Sequence, residues 1–182
     1  MVRLYLVRHG RAAAGFGEAR DPGLDPEGRA QAEALAARLA PLGPLPIVAS
    51  PLRRTRETAA PLEHRWRRAA LIEPRVAEIP SPVEDLARRG EWLRGVTAGR
   101  WAAQAPELQA WRRRVVEALG AIREPSVVVS HYIAINVAVG AATRDDRVVS
   151  FAPDHCSVTL VEVEDGALRL IERGAEAATR VL

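Results

Sequence analysis

Two histidines and two arginines are the residues of this 182-residue chain whose types and positions most favour chemistry. His9 lies between Arg8 and Gly10 at the end of one apolar segment. His131 directly follows a second apolar segment, and Arg54 lies shortly after a third. An imidazole can attack phosphorus, and a guanidinium group binds phosphate oxygens through paired, charge-assisted hydrogen bonds. A lone histidine at a strand end is more often structural, so a phosphoryl-binding site requires that the fold bring these groups together.

The predicted strands end where these residues stand. Residues 2–8 alternate as a buried strand does and stop at a glycine turn. Residues 47–50 and 126–130 are short apolar runs, typical of strands inside a sheet. Two more strand-like runs, residues 157–163 and 167–172, are joined by a turn and predict a hairpin.

Helices are predicted between the strands. Asp25 is a good N-cap for a helix whose buried face extends to Leu42, and a second helix is predicted from Pro51 to about Leu62. A longer helix carries an apolar stripe at helical spacing, made of Leu108, Trp111, Val115, Leu119 and Ile122.

The order of these elements predicts the architecture. Strands that alternate with helices indicate an α/β three-layer sandwich, with a largely parallel central sheet flanked by helices. Ligands bind beyond the carboxyl ends of the strands in such sheets, so the two histidines and two arginines should converge. A helix that begins just after His131 would add free backbone N–H groups there. Short helices are expected over residues 83–104, whereas residues 71–82 hold three prolines and should be irregular or edge-like.

Composition excludes several classes of protein. The chain is 48% hydrophobic and 27% charged, which is ordinary for a globular domain, and no apolar run approaches the roughly 18 residues of a membrane helix. All 26 basic residues are arginine, yet the net charge is only +3. The arginine clusters at residues 65–68 and 111–114 lie outside any nucleic-acid-binding motif and are interpreted as solvated helix faces. Cys156 is the single cysteine and no secretory signal is evident, so we expect a cytoplasmic location.

Five segments resemble the sequence signatures of a known family. In chain order they are Leu4–Gly10, Leu24–Ala32, Ser50–Ala59, Val76–Ile79 and Val127–His131. The first is similar to an N-terminal Arg-His-Gly signature, the third to an arginine segment, the fourth to an acid segment and the last to a second-histidine segment. Together they resemble the histidine phosphatase superfamily, whose fold is called phosphoglycerate mutase-like. That fold is what the resemblance implies for this chain.

The resemblance also implies a role for each matching residue. His9 would be the nucleophile that becomes phosphohistidine, and His131 would help to surround the transferred phosphoryl group. Glu78 would protonate the leaving oxygen and later activate water. Members of this family need no metal, so neither a metal nor another cofactor is expected. The residues expected to bind the substrate are Arg8, Gly10, Arg54 and Tyr132.

Departures from the family pattern bear on the expected activity. Residues 12–14 are alanines where family members carry a polar run, and Arg11 is the side-chain donor that remains there. Tyr132 replaces the glycine that usually follows the second histidine, so its ring should lie at the edge of the pocket. The long insertions of the glycolytic mutases are absent. These features favour a phosphatase over a mutase.

We therefore expect a metal-independent phosphatase that hydrolyses a small phosphomonoester or a related phosphorylated compound. A phosphoglycerate-type mutase and a catalytically weak phosphate-binding module are the alternatives. The expected partner is the small phosphorylated substrate, without nucleic acid or membrane, and the resemblance leaves a homodimer open. Residues 1–182 are interpreted as one domain with a lid-like region at about 78–106. Roles that stay open are those of Arg11, Arg88, Arg89, Arg94 and His155.

Overall fold

The computed structural model describes residues 1–177 and places helices on both faces of a six-stranded sheet. The strands are β1 (Val2–Arg8), β2 (Ile47–Ala49), β3 (Leu71–Ile72), β4 (Ser126–Ser130), β5 (Val158–Glu164) and β6 (Ala167–Glu172). The α-helices are α1 (Pro26–Leu39), α2 (Arg53–Trp66), α3 (Leu86–Thr97), α4 (Pro106–Gly120) and α5 (Tyr132–Thr143). The predicted domain also includes residues 178–182, which lie outside the described part.

The sheet is mostly parallel, as the alternation of strands and helices predicts. Its strand order is β3-β2-β4-β1-β5-β6, with β1 parallel to β4 and antiparallel to β5. β2 runs parallel to β4, and β3 is a short parallel strand at the edge. The carboxyl ends of β1, β2 and β4 therefore meet at one edge of the sheet.

Two apolar clusters cover opposite faces of this sheet. Leu4 and Leu6 of β1 are buried in the cluster that contains α4 and α5, whereas Val7 is buried against α1 and α2. This alternation follows from the two-residue period of a strand. The prediction of a three-layer α/β sandwich is confirmed. No helix within residues 1–177 has the length and apolar character that crossing a membrane requires.

Helix α2 begins and ends later than the sequence predicts. It does not start at Pro51, because Leu52 is still extended and serves as the N-cap. It continues past Leu62 because Trp66 is buried and its indole N–H donates to the Ala40 carbonyl at 3.2 Å. That bond joins two segments, so the local sequence pattern does not reveal it.

The buried face of α1 is shorter than predicted. Asp25 caps the helix as expected, and its side chain accepts a hydrogen bond from the Gly28 N–H at 2.7 Å. Leu42 is 43% exposed, although its spacing predicts burial. The reason is that Ala40–Leu42 form a 3₁₀ turn, which has three residues per turn rather than 3.6 and rotates Leu42 off the face.

Candidate active site

The two predicted histidines meet at the carboxyl ends of β1 and β4. These strands pair in parallel with Arg8 opposite Ser130, so the residues that follow them, His9 and His131, lie side by side. The His9 N–H donates to the Ser130 carbonyl at 3.1 Å, and the two imidazole rings are 5.2 Å apart, edge to face. Arg54, in the first turn of α2, reaches the same point from beyond β2.

The hydrogen bonds of His9 determine which of its ring nitrogens carries the proton and which carries a free lone pair. Its Nδ1 lies 2.7 Å from the Gly10 carbonyl oxygen, which can only accept, so Nδ1 carries the proton. Nε2 is then unprotonated and accepts a hydrogen bond from the Arg54 Nε–H at 3.2 Å. Burial, with the charges of Arg54 and Arg8, holds the pKa of His9 well below its ordinary value of 6.5. The ring is therefore a neutral imidazole whose lone pair points toward a guanidinium group.

Two buried guanidinium groups stand beside this nitrogen. The Arg8 Nη1–H donates to the Pro153 carbonyl at 2.9 Å, and its guanidinium lies 5.0 Å from the centre of the Tyr132 ring. Neither Arg8 nor Arg54 has a carboxylate within 4 Å among residues 1–177, and burial lowers the pKa of both. The charge of Glu78 opposes this shift in both arginines, and a bound phosphate would supply a further counter-charge.

His131 is fully buried and is held by a hydroxyl pair. Its Nε2 lies 2.7 Å from the Ser50 Oγ, which in turn lies 2.9 Å from the Thr55 Oγ1. Its Nδ1 is buried and has no hydrogen-bond partner within the described chain. Burial, followed by the nearby His9 and Arg54, lowers the pKa of His131 well below its ordinary value. Sequence reasoning missed Ser50 and Thr55 as site residues, although both lie in the arginine segment.

Glu78 lies half-buried in the wall of the same cavity. Its carboxylate accepts hydrogen bonds from the N–H of Ile79 at 3.0 Å and from that of Ile133 at 3.3 Å. Ile133 is in the first turn of α5, so Glu78 occupies the helix N-terminus that was expected to be free for phosphate. Burial raises the pKa of Glu78, although those N–H groups and Arg54 oppose the shift. A carboxyl that holds its proton more readily suits a general acid.

Three other carboxylates near Glu78 in sequence lie outside the cavity. Glu73 pairs with Arg75 at 2.7 Å, and that hydrogen bond lowers its pKa. Glu84 forms an ion pair with Arg20, also at 2.7 Å. Asp85 is the N-cap of α3, and its side chain accepts a hydrogen bond from a backbone N–H in the first turn of that helix. The structure therefore brings only Glu78, of these four, to the histidines.

Gly10 does not line the cavity. Its N–H donates to the Thr58 Oγ1 at 3.0 Å, so it is not directed at a ligand. A Cβ at this position would lie 2.6 Å from the Gly28 carbonyl oxygen, which explains why only glycine fits. The close approach of Gly10 to Gly28 is a packing contact between the end of β1 and α1, and the contact between Gly10 and the substrate stays a prediction.

Tyr132 and His155 both line the cavity. Tyr132 is buried beneath the Arg8 guanidinium rather than standing at the pocket edge. The His155 ring is 6.1 Å from that of His9. Burial and the charge of Arg8 lower the pKa of His155 to about 4, so it is neutral near pH 7.

The cavity has a volume of about 460 Å³ and opens outward past the loop after β1.

The arginines whose roles the sequence leaves open lie near this opening or on the surface. Arg11 is half-exposed and pairs with Asp25 at 2.5 Å and with Glu27. Arg89 lies behind this loop, with its guanidinium 4.2 Å from the centre of the Phe16 ring. Arg88 and Arg94 are exposed. A larger groove of about 590 Å³ lies between α1 and α2, and it contains none of the predicted site residues.

Residues 1–177 contain no group of three or more His, Cys, Asp or Glu side chains arranged to hold a metal ion. Cys156 is buried, and this burial raises its thiol pKa to about 12. A thiol that stays protonated is a poor nucleophile.

Comparisons with known proteins agree with this geometry. The family model of the histidine phosphatase superfamily, branch 1, matches residues 4–175. A search of curated protein sequences found no significant match. A mycobacterial glucosyl-3-phosphoglycerate phosphatase superposes with a TM-score of 0.72 at 24% identity, covering 97% of this chain and 100% of the other. An Entamoeba histolytica phosphoserine phosphatase, solved with 3-phosphoglyceric acid, gives a TM-score of 0.76 at 19% identity, covering 96% and 98%. At these identities the likeness to the solved structures establishes the fold.

Proposed function

The chain belongs to the histidine phosphatase superfamily, branch 1, and we propose that it hydrolyses a small phosphomonoester through a phosphohistidine at His9. The observation that carries this proposal is the state of the His9 Nε2. It is unprotonated, belongs to a neutral ring and lies beside the buried guanidinium of Arg54. A nucleophilic nitrogen next to buried cations suits attack on a phosphate group better than any other common reaction.

The first step transfers the phosphoryl group to the enzyme. The phosphate oxygens bind to Arg8 and Arg54, and the Arg54 Nε–H turns from the His9 Nε2 to an oxygen. Nε2 then forms a bond to phosphorus while the bond from phosphorus to the leaving oxygen breaks. Glu78 gives its proton to that oxygen, so the alcohol departs neutral. The two guanidinium groups stabilise the charge that spreads over the phosphoryl oxygens.

The second step returns the enzyme to its starting state. The Glu78 carboxylate takes a proton from a water molecule, and the water oxygen bonds to phosphorus as the N–P bond breaks. Inorganic phosphate leaves, and His9 is again neutral with its proton on Nδ1. The charge on the enzyme is the same before and after the cycle.

His131 has a supporting role in this proposal. When the Ser50 hydroxyl donates to the His131 Nε2, the proton of the ring lies on Nδ1, the buried nitrogen that has no partner within residues 1–177. That N–H can donate to a phosphoryl oxygen held at His9. Ser50 then acts as a positioning residue, because it selects the tautomer that donates.

The proposal is tested by phosphate release from p-nitrophenyl phosphate and a panel of phosphorylated metabolites, with a chelator present throughout. We expect turnover that the chelator does not reduce, because guanidinium groups supply the positive charge. Binding of phosphate without turnover of any ester would instead indicate a binding module. Rapid, bisphosphate-stimulated conversion of 3-phosphoglycerate to 2-phosphoglycerate would indicate a mutase.

A further inference from the structure

The outer wall of the cavity is apolar. We use this name for the loop side chains Ala12, Ala13, Ala14, Phe16 and Ala19 together with Leu93 of α3, all of which line the cavity. Ile133 extends the apolar surface inward toward the buried arginines. None of these side chains has a polar atom, so none can hydrogen-bond to the part of a substrate that lies beyond the phosphate.

The charged side chains at the rim of this wall already have partners. Arg11 pairs with Asp25 and Glu27. Arg20 pairs with Glu84 at 2.7 Å. A second anionic group would therefore have to compete with these carboxylates for the two arginines.

Glu18 is held in the same way, because its carboxylate accepts a hydrogen bond from the Gly15 N–H at 2.6 Å. It also repels anions at the mouth of the cavity. Among the described residues, each arginine at the rim thus already has a carboxylate partner.

The wall is fixed in place by contacts with α3. The Phe16 ring stacks on Trp92 with 6.3 Å between centres, and the Arg89 guanidinium covers the ring at 4.2 Å. At Gly17 the loop lies so close to α3 that a Cβ would be 3.1 Å from the Leu86 carbonyl oxygen. These contacts make the wall a defined surface rather than a loose loop.

From this arrangement, and on the basis of the proposed function, we propose that the substrate is the phosphate monoester of an apolar, uncharged alcohol, alkyl or aryl. The phosphate would bind to Arg8 and Arg54, and the carbon chain would lie on the outer wall. A carboxylate or polyol placed there would lose its hydrogen bonds to water and gain none, which weakens binding. An apolar chain strengthens binding by about fourfold for each methylene that is buried.

Arg89 is the side chain that would favour a substrate with a second anionic group. Its Nη1 is buried and has no hydrogen-bond partner within the described residues. Its guanidinium stacks on the Phe16 ring, and it does not line the cavity. Tight binding of a doubly anionic ligand would overturn the proposal, whichever arginine receives the second anionic group.

The experiment measures direct binding of non-hydrolysable phosphonates to the intact protein by calorimetry. The probes are methylphosphonate, butylphosphonate and 3-phosphonopropionate, the last two being of similar length with an apolar or a carboxylate end. We expect butylphosphonate to bind at least tenfold more tightly than the other two. Equal or tighter binding of 3-phosphonopropionate would overturn the proposal.

A pair of variants with the same shape locates the effect on the wall. Ala14→Val and Ala14→Thr add side chains of equal size that differ in a hydroxyl group, and Ala69→Thr is an exposed control outside the cavity. We expect Ala14→Thr to bind butylphosphonate several-fold more weakly than Ala14→Val, with Ala69→Thr unchanged. Identical affinities of the two Ala14 variants for butylphosphonate would show that the outer wall does not contact the alkyl chain.

Binding and turnover separate the two proposals. If butylphosphonate binds preferentially but no ester is hydrolysed, the inference about the ligand stands and the proposed phosphatase function fails. If esters are hydrolysed but the carboxylate probe binds best, the function stands and the inference fails.

Discussion

The inner end and the outer wall of the cavity are built by different means. At the inner end, Arg8 is the last residue of β1, and His9 and His131 directly follow β1 and β4. All three are buried, and the hydrogen bonds of the central sheet fix their backbone. The outer wall is formed by a loop and by α3, which contact each other through the rings of Phe16 and Trp92, both partly exposed. The comparison indicates that the fold positions the reactive groups, whereas a few side-chain contacts shape the surface that meets the rest of the substrate. Changes at the inner end should therefore affect the chemical step, and changes at the outer wall should affect binding.

The largest effect is expected for His9→Ala, because this variant removes the atom that attacks phosphorus. Loss of a nucleophile lowers kcat by about 10⁴–10⁶-fold in enzymes of comparable design. Steady-state phosphate release measures the loss, with His64→Ala as a control because His64 is exposed on α2. A His9→Ala variant with undiminished activity would remove His9 from the mechanism.

Glu78→Gln should have a large effect that depends on the leaving group. With an alkyl phosphate the loss of a positioned proton donor lowers kcat by about 10²–10⁴-fold. With p-nitrophenyl phosphate the leaving group departs as an anion, so the first step should slow much less. Glu73→Gln is the matched control, because Glu73 lies outside the cavity.

The same comparison of two substrates extends to Glu84→Gln and Asp85→Asn. If the dependence on the leaving group appeared in one of these three controls and not in Glu78→Gln, the acid would be wrongly assigned.

Arg54→Gln should lower kcat by about 10²–10³-fold, the usual cost of removing one preorganised donor to a developing oxyanion. Arg56→Gln, on an exposed position of the same helix, controls for the loss of positive charge. Parallel losses in both variants would indicate that general electrostatic attraction, and not the site, holds the phosphate.

The pH dependence of kcat/KM for an alkyl phosphate should reflect the protonation of Glu78 and of His9. Only protonated Glu78 can donate, so the rate should fall about tenfold per pH unit above its raised pKa. Only neutral His9 can attack, and because its pKa lies well below 6.5, the rate should not fall as the pH drops through 6.5. In Glu78→Gln the alkaline decline should disappear. An imidazole signal of His9 that titrates near 6.5 in an NMR pH titration of the free enzyme would contradict the state assigned to His9.

The smallest effect is expected at the outer wall. Phe16→Ala removes the ring that Trp92 and Arg89 hold, so KM for butyl phosphate should rise several-fold while kcat stays within about twofold. Phe16→Leu keeps an apolar contact and should restore most of the affinity. A fall in kcat as large as that of Arg54→Gln would show that the two regions are not separate.

The inner end could be predicted from sequence because its signals are local. The alternation in residues 2–8 and the apolar run at 126–130 each indicate a buried strand, and the rule on strand ends places the following histidines together. The hydrogen-bond partners of these residues are harder to predict from the sequence. The bond between His131 and Ser50 joins residues 81 positions apart, and no pattern in either segment specifies it.

The structure of the outer wall could not be predicted from the sequence. The alanines at 12–14 are visible as a departure from the family pattern, but the contact of Phe16 with α3 depends on how a loop and a helix pack. Gly10 is the converse case, because its place in the signature predicts a ligand contact while the structure shows close packing against Gly28. Packing between distant segments decides both cases.

The central claim is that a covalent phosphohistidine forms at His9, and rapid mixing with substrate followed by an acid-free quench tests it directly. The wild-type protein and His64→Ala should carry a phosphoryl label that is stable to base, labile to acid and located on the peptide containing His9. His9→Ala should carry none. A base-labile label on a hydroxyl side chain, or a label that persists in His9→Ala, would contradict the account.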